Sequence, residues 1–301
     1  MASKKIDRRT FLAASTAVVG SSILAKESIS SPPGRQPVLG DIRHTLPTMT
    51  LGRTGRVIPR LGMGTYPLGY IKDDDVAVEI LTTAIQLGVR YFDTAPTYTK
   101  GRSEYRLGLA LAASGIDRSE FYIATKTKER NGAKARQSLE DSLSRLGLDY
   151  VDAIQAHQIL SDVGELFGPG QALEAFVQAR ADGLAKYIGA TSHGKDPHYI
   201  NYAINHFQFD TVLFPVGLAS PEFIESTLPI AIEQNLGVIG MKVYKSGFLL
   251  TVGGFTPQQC VGFSLDVPGV NVIIPGFDDL AQVEPIASYV ASHLDGYASG
   301  L

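Results

Sequence analysis

Residues 91–105 read YFDTAPTYTKGRSEY and contain both a predicted strand end and reactive side chains. The run that begins at Val89 is rich in β-forming residues and ends at Asp93. A loop containing a proline then leads through Tyr98 to a helix predicted to begin near Arg102. A carboxylate at a strand end, followed one loop later by a phenol, suits proton-transfer chemistry. The stretch therefore predicts one strand–loop–helix unit that carries part of a site.

The same unit recurs along the chain, because short β-forming runs alternate eight times with amphipathic stretches. The predicted strands are residues 60–64, 89–93, 121–125, 150–156, 186–191, 211–215, 237–242 and 270–274. Eight strand–helix units in one domain predict a (β/α)8 TIM barrel. A doubly wound open sheet is the alternative, but it requires a G-x-G-x-x-G turn at the first helix, which residues 62–67 do not provide.

The helices are predicted from apolar residues that recur on one face. In the helix predicted at 74–87 these are Val76, Ile80, Leu81, Ala84 and Leu87, and in the one at 135–146 they are Leu139, Leu143 and Leu146. The predicted helix ends are marked by glycines, namely Gly88, Gly147, Gly183 and Gly237. Before the first unit, residues 49–51 and 57–58 flank the turn sequence GRTG and predict a short N-terminal hairpin.

Three ionisable residues lie at the ends of consecutive predicted strands: Asp93, Lys126 and His157. Barrel enzymes bind and react at the carboxyl ends of their strands, so these side chains and Tyr98 should converge at one mouth. Each residue alone has an ordinary structural interpretation, as a loop cap, a solvated strand end or a hydrogen-bonded core histidine. Their order on consecutive strands favours a shared catalytic site.

The first 30 residues differ from the rest of the chain. Basic residues end in the pair Arg8-Arg9, and an apolar, alanine-rich run follows, so residues 1–30 resemble a twin-arginine (Tat) export signal. An ordinary basic amphipathic helix and an uncleaved anchor are the alternatives. Residues 31–47 are rich in proline and glycine and are interpreted as a linker, which leaves the barrel at 48–301. We expect export across a bacterial inner membrane by the Tat machinery, or a cytoplasmic protein if the leader is not functional.

Composition narrows the possible functions of the 301-residue chain. With 44% hydrophobic residues it can bury a large core, and its net charge of −3 provides no general attraction to nucleic acid or anionic lipid. Its one cysteine, Cys260, excludes an intramolecular disulfide and a cysteine-cluster metal site. We therefore expect a globular protein whose stability comes from its core and which does not bind a nucleic-acid backbone.

The sequence resembles the aldo-keto reductase family in three segments that follow the family's order. Residues 91–111 are similar to its Asp-through-Tyr signature, FYIATK to its lysine strand and DAIQAH to its histidine strand. The resemblance implies an oxidoreductase that reduces an aldehyde or ketone, or oxidises an alcohol, with NADPH or NADH and without a metal. It implies Tyr98 as general acid and base, Lys126 as its electrostatic support, Asp93 as the partner of the lysine and His157 as the group that orients the substrate.

The resemblance also implies a cofactor site, with several departures from the family pattern. The implied cofactor-binding residues are Gly64, Thr65, Tyr66, Ser192, Lys242, Lys245, Ser246, Gly247, Pro275, Gly276 and Gln282. The departures are His193 for a common asparagine, Leu213 for a glutamine, Met241 for a stacking tyrosine and Gln282 for a phosphate-binding arginine. NADPH is the cofactor that the resemblance implies, and NADH is the alternative.

Two other functions are open at this point. One is a nucleotide-binding regulatory module with a reductase fold and little turnover. The other is a metal-dependent barrel hydrolase that uses Asp93 and His157, although neither residue has further ligands at metal-site spacing.

Overall fold

The computed structural model describes the backbone of residues 46–298 and the side chains of residues 46–293. The predicted signal segment at 1–30 and most of the predicted linker at 31–47 lie outside the described residues. No helix in the described part of the chain is long and apolar enough to cross a membrane.

The described chain alternates strands and helices in the predicted order. The strands are β1 (Thr48–Thr50), β2 (Val57–Pro59), β3 (Met63–Gly64), β4 (Tyr91–Asp93), β5 (Tyr122–Thr127), β6 (Val151–Ala156), β7 (Ala185–Thr191), β8 (Thr211–Pro215), β9 (Gly237–Met241) and β10 (Val272–Ile273). The α-helices are α1 (Asp74–Gln86), α2 (Arg102–Ser114), α3 (Gly132–Leu146), α4 (Ala172–Ala181), α5 (His198–His206), α6 (Pro221–Glu233), α7 (Phe248–Thr251), α8 (Pro257–Asp266) and α9 (Val283–Ala298). Short 3-10 helices lie at Gly52–Thr54, Pro67–Gly69, Arg118–Glu120, Val163–Leu166 and Leu280–Gln282.

The eight strands from β3 to β10 form one parallel sheet in which each strand pairs with its neighbours in the chain. The last strand returns to the first, because the Gly62 N–H donates to the Ile273 carbonyl at 2.8 Å and the Gly64 N–H to the Pro275 carbonyl at 3.0 Å. These bonds close the sheet into a barrel with the helices outside, so the predicted (β/α)8 fold is confirmed. The antiparallel pair β1–β2 confirms the predicted hairpin.

Two sequence predictions about helices were wrong in detail. Val76 was assigned to the buried face of α1, but it is 41% exposed and Ala77 is buried in its place. Gly237 was expected to end a helix, but it begins β9, and Asn235 adopts the left-handed conformation instead, at φ 51°. Asparagine tolerates this conformation because its short amide bonds locally, so it replaces the glycine that the pattern suggested.

Aromatic rings fill the barrel interior. Tyr91, Tyr122 and Tyr187 stack on three different strands, with centroids 5.0 and 6.0 Å apart. Leu51 and Ile58 of the hairpin belong to the same buried cluster, so the hairpin closes the amino-terminal end of the barrel. Because the hairpin closes the amino-terminal end, the open mouth of the barrel is at its carboxyl-terminal end.

We expect Gly52→Ala to destabilise the fold more than Gly55→Ala. Both glycines have a positive φ, 45° and 67°, so alanine costs about 1–2 kcal/mol at either position. A Cβ at Gly52 would lie 2.3 Å from the Gly237 backbone nitrogen, whereas a Cβ at Gly55 has no atom within 4 Å. The clash should cost Gly52→Ala a further ~1–3 kcal/mol. Urea unfolding of both variants measures the difference, and equal losses would show that the hairpin is not packed tightly on the barrel.

Candidate active site

A buried ion pair lies at the mouth of the barrel. The Lys126 ammonium donates hydrogen bonds to the Asp93 carboxylate, to the Thr94 carbonyl at 2.8 Å and to the Tyr98 hydroxyl at 3.2 Å. Asp93 and Lys126 are 2% and 1% exposed, whereas Tyr98 is only partly buried. The three residues predicted from strand ends and the adjoining loop are therefore brought together.

Gln155 is a part of this arrangement that the sequence analysis missed. Its Nε2 donates to the second oxygen of Asp93 at 3.0 Å, from a buried position on β6. The residue lies two positions before His157, so strand alternation could have placed it on the same inward face. With Gln155 and Lys126 bound to its two oxygens, Asp93 is held in one orientation and is poorly suited to act as a metal ligand.

The phenol and the ammonium influence each other's proton affinity. Burial raises the pKa of Tyr98, and the positive charge and hydrogen bond of Lys126 oppose that rise. Burial lowers the pKa of Lys126, but the charge of Asp93 and the contact with Tyr98 more than offset it, so the net pKa is raised. Lys126 is therefore charged at neutral pH and makes the phenolate form of Tyr98 more accessible than burial alone would allow.

His157 follows β6 and is 5% exposed. Its ring meets the Tyr98 ring edge-on at a centroid distance of 6.3 Å, and its Nδ1 has no hydrogen-bond partner among the described residues. Burial and then the charge of Lys126 lower its pKa to about 2. The imidazole is therefore neutral and can donate one hydrogen bond next to the phenol.

The first turns of α2 attach the surrounding loops to the barrel, another feature that the sequence analysis missed. Ser103 donates to the Thr65 carbonyl at 2.9 Å, and Glu104 accepts from Thr125 and from Arg145 at 2.6 Å each. Arg106 is fully buried and donates to Asp74 and to the carbonyls of Leu68 and Ile71. These contacts fix the loop after β3 against the loop that carries Tyr98.

The residues predicted from the first strand contribute differently to the mouth. Gly64 pairs with Asp93 in the sheet, and the Thr65 hydroxyl donates to the Asp93 backbone carbonyl at 3.0 Å. Tyr66 is 51% exposed and packs edge-on against Tyr98 at 5.2 Å. The hydroxyl of Thr65 thus already has partners, whereas Tyr66 forms an open wall of the mouth.

The loop after β9 combines positive charge with left-handed backbone. Lys242, Lys245, Ser246 and Gly247 all have positive φ, between 47° and 85°, and the Lys242 ammonium donates to the Ser246 hydroxyl at 3.2 Å. Non-glycine residues rarely adopt this conformation, and such strain concentrates at binding sites. Burial lowers the pKa of Lys242, and this ammonium is in no ion pair with the described residues. An ammonium next to a hydroxyl is a donor set suited to phosphate.

The remaining predicted cofactor residues lie around the same rim. Ser192 is buried and donates to the Ile159 carbonyl at 3.0 Å. Pro275 and Gly276 follow the closing strand, and a Cβ at Gly276 would lie 2.7 Å from the Pro67 ring. The Gln282 side-chain amide donates to the Asp278 carboxylate at 2.7 Å, and its oxygen accepts from the Asp278 backbone N–H at 3.0 Å. Gln282 therefore stabilises its own turn in the structure.

Sequence comparison shows which protein family this chain resembles. The model of the Aldo/keto reductase family matches residues 60–259. L-Galactose dehydrogenase of Arabidopsis thaliana is 31% identical over 217 residues, which are 67% of each chain. The methylglyoxal reductase DkgB of Escherichia coli O157:H7 is 36% identical over 137 residues, 45% of this chain and 48% of that one. This chain therefore spans about two thirds of the plant relative and about half of the bacterial one.

Solved structures share the fold at lower sequence identity. The holo form of an aldo-keto reductase from Bacillus halodurans has a TM-score of 0.70 and 21% identity, covering 83% of this chain and 96% of that one. An aldo-keto reductase from Klebsiella pneumoniae in complex with NADPH has a TM-score of 0.67 and 22% identity, covering 81% and 89%.

We expect the imidazole of His157 to remain neutral from pH 8 to pH 5, because burial and the neighbouring cations lower its pKa to about 2. Nitrogen-15 NMR of histidine-labelled protein reports the protonation of each ring, and the variant His157→Asn identifies the signal. A midpoint near the ordinary histidine value of about 6.5 would contradict the burial of this ring.

Proposed function

Because this chain belongs to the aldo/keto reductase family, a family of oxidoreductases, we propose that it reduces an aldehyde or ketone to an alcohol, or catalyses the reverse reaction. The observation that carries the proposal is the contact of one buried ammonium, Lys126, with both the Tyr98 hydroxyl at 3.2 Å and the Asp93 carboxylate. In this arrangement Tyr98 is the proton donor, and the charge of Lys126, which is held by Asp93, stabilises its ionised form.

In this proposal Tyr98 donates its proton to the carbonyl oxygen as that oxygen gains negative charge. Lys126 stabilises the phenolate that results, since an opposite charge at hydrogen-bond distance favours the ionised form. Asp93 holds the ammonium in place, and Gln155 holds Asp93. His157, neutral and next to the phenol, orients the carbonyl oxygen by donating a hydrogen bond.

A nicotinamide dinucleotide would supply the hydride, which no side chain can provide. The loop of Lys242, Lys245, Ser246 and Gly247 would hold its pyrophosphate, and the ammonium–hydroxyl contact of Lys242 with Ser246 supports this fit. Gly64, Tyr66 and Ser192 would line the nicotinamide end, and the turn from Pro275 to Gln282 the adenosine end. NADPH is the proposed dinucleotide and NADH the alternative.

We expect Tyr98→Phe to retain dinucleotide binding but to lose about 10²–10⁴-fold of carbonyl reduction, because general acid catalysis contributes about that much. The change removes one oxygen and keeps the ring packed. Fluorescence titration with NADPH and NADH measures binding, and single-turnover oxidation of the bound dinucleotide measures chemistry.

The matched control is Tyr105→Phe, which removes the hydroxyl of a 43% exposed tyrosine from helix α2. This variant should react like the wild-type protein. Near-normal reduction by Tyr98→Phe would overturn the assignment of the acid, and a wild-type protein that binds the dinucleotide without turnover would favour a regulatory module.

We also propose that the protein is exported through the Tat machinery to the outer face of a bacterial inner membrane with its dinucleotide already bound. The support is the Arg8-Arg9 pair before an apolar run, since this pathway carries folded proteins. Dinucleotide binding would stabilise the folded protein by about 2.7 kcal/mol at a free concentration 100 times Kd.

The export proposal predicts that Arg8→Lys/Arg9→Lys stays in the cytoplasm while the wild-type protein does not. Lys4→Arg/Lys5→Arg, which conserves charge outside the arginine pair, serves as the control and should still be exported. Cell fractionation with assay of protein and bound nucleotide tests both parts. Retention of all three proteins in the cytoplasm would refute export, and exported protein without nucleotide would refute preloading.

A further inference from the structure

Lys128 lies next to the proposed catalytic residues without a role in the mechanism above. It follows Lys126 by two residues and lies directly after the end of β5, at the carboxyl-terminal end of the barrel. The sheet register pairs Thr127 with Ala156, and the His157 N–H donates to the Thr127 carbonyl at 2.9 Å. The next position across the two strands therefore places Lys128 next to His157.

Arg130 fixes these two positions relative to each other. Its Nη1 donates to the carbonyls of Lys128 and His157, at 3.2 and 3.3 Å, and its Nη2 donates to the Gln158 carbonyl at 2.8 Å. Its Nε donates to the Asp162 carboxylate at 2.8 Å, which compensates the guanidinium charge. Arg130 is thus a structural clamp whose charge is already paired, and it leaves Lys128 on a defined backbone.

Of the three cations Lys126, Lys128 and Arg130, only Lys128 lacks an ion-pair partner among the described residues. Lys126 is paired with Asp93 and Arg130 with Asp162, but Lys128 is exposed and forms no ion pair with the described residues. The His193 ring lies 6.1 Å from the His157 ring, centroid to centroid, and adds a second imidazole to the same wall. The Lys128 ammonium and the two imidazoles are potential hydrogen-bond donors on this side of the mouth.

The electrostatics of the two histidines agree with this placement. Burial is the largest cause that lowers the pKa of His157 to about 2 and that of His193 to about 4, and the charge of Lys128 contributes to both. Both rings are therefore neutral at pH 7, and each retains one N–H donor.

We propose that Lys128, together with His157 and His193, selects aldehydes or ketones that carry a carboxylate. The inference rests on the proposed carbonyl reduction, because a carbonyl oxygen held between Tyr98 and His157 presents its substituents to this wall. A single unpaired ammonium flanked by neutral donors matches one carboxylate in charge and in hydrogen bonding. Lys128 would act mainly on substrate binding, since it does not touch the reacting atoms.

The test uses two pairs of substrates that differ only in charge: 4-formylbenzoate and its methyl ester, and 4-oxobutanoate and its methyl ester. Steady-state kinetics with NADPH are measured for the wild-type protein and for Lys128→Met, Lys128→Arg and Lys134→Met. Lys134 is exposed on α3 and forms no ion pair with the described residues, and its substitution makes the same charge change outside the mouth.

We expect the wild-type protein to prefer each carboxylate over its ester. Lys128→Met should lower kcat/KM for the carboxylate about tenfold more than for the ester, mostly through KM, because a charged hydrogen bond is lost. Lys128→Arg should keep the preference and Lys134→Met should not change it. Added salt should raise KM for the carboxylates only, since screening weakens charge interactions.

The outcomes separate this inference from the proposed function. Reduction of all four compounds without a preference for charge, or an equal loss for acid and ester in Lys128→Met, overturns the carboxylate site and leaves carbonyl reduction intact. Reduction of none of the four by the wild-type protein overturns both.

Discussion

The buried ion pair between Asp93 and Lys126 is the interaction on which the mouth of the barrel depends. Removing a charge from water costs several kcal/mol of solvation free energy. The attraction between two buried charges offsets this cost only when their remaining hydrogen bonds are also made. Here Gln155 satisfies the second carboxylate oxygen, while the Thr94 carbonyl and the Tyr98 hydroxyl satisfy the ammonium. The pair therefore persists in the interior because strands β4, β5 and β6 and the loop after β4 all provide groups that contact it.

The loops around the ion pair are held by polar residues buried on helix α2. Thr99, Lys100 and Gly101 have positive φ values of 50°, 56° and 84°, directly after Tyr98. Left-handed backbone at non-glycine residues costs free energy and persists only where surrounding contacts impose it. Ser103 and Arg106 impose it here, because they tie this segment to the loop after β3. The position of the phenol is thus set by helix contacts rather than by its own short loop.

The parts of the molecule that the sequence predicted are those set by local pattern. Strands buried on both faces have continuous apolar runs, so the order of the eight strands followed from periodicity, and Asp93, Lys126 and His157 followed from the strand ends. Gln155 was missed because its role depends on a contact across 62 residues of sequence. Arg106 was missed for the same reason, since its carbonyl partners lie 35 and 38 residues away. Long-range hydrogen bonds leave no periodic signal in a single sequence.

Charge links the chemistry of the mouth to its selectivity. Lys126 lies near the end of β5, and Lys128 and Arg130 follow that strand; after burial, which is the largest cause, all three cations lower the pKa of His157. A protonated imidazole would add a further positive charge to this wall and would repel these cations, so the ring stays neutral and keeps one donor N–H. Lys126, which favours the phenolate form of Tyr98, is thus also one of the cations that keep His157 a neutral donor. If this wall binds a carboxylate, the anion would offset part of that positive charge, and substrate charge would then influence the proton affinities of the acid and the histidine as well as binding.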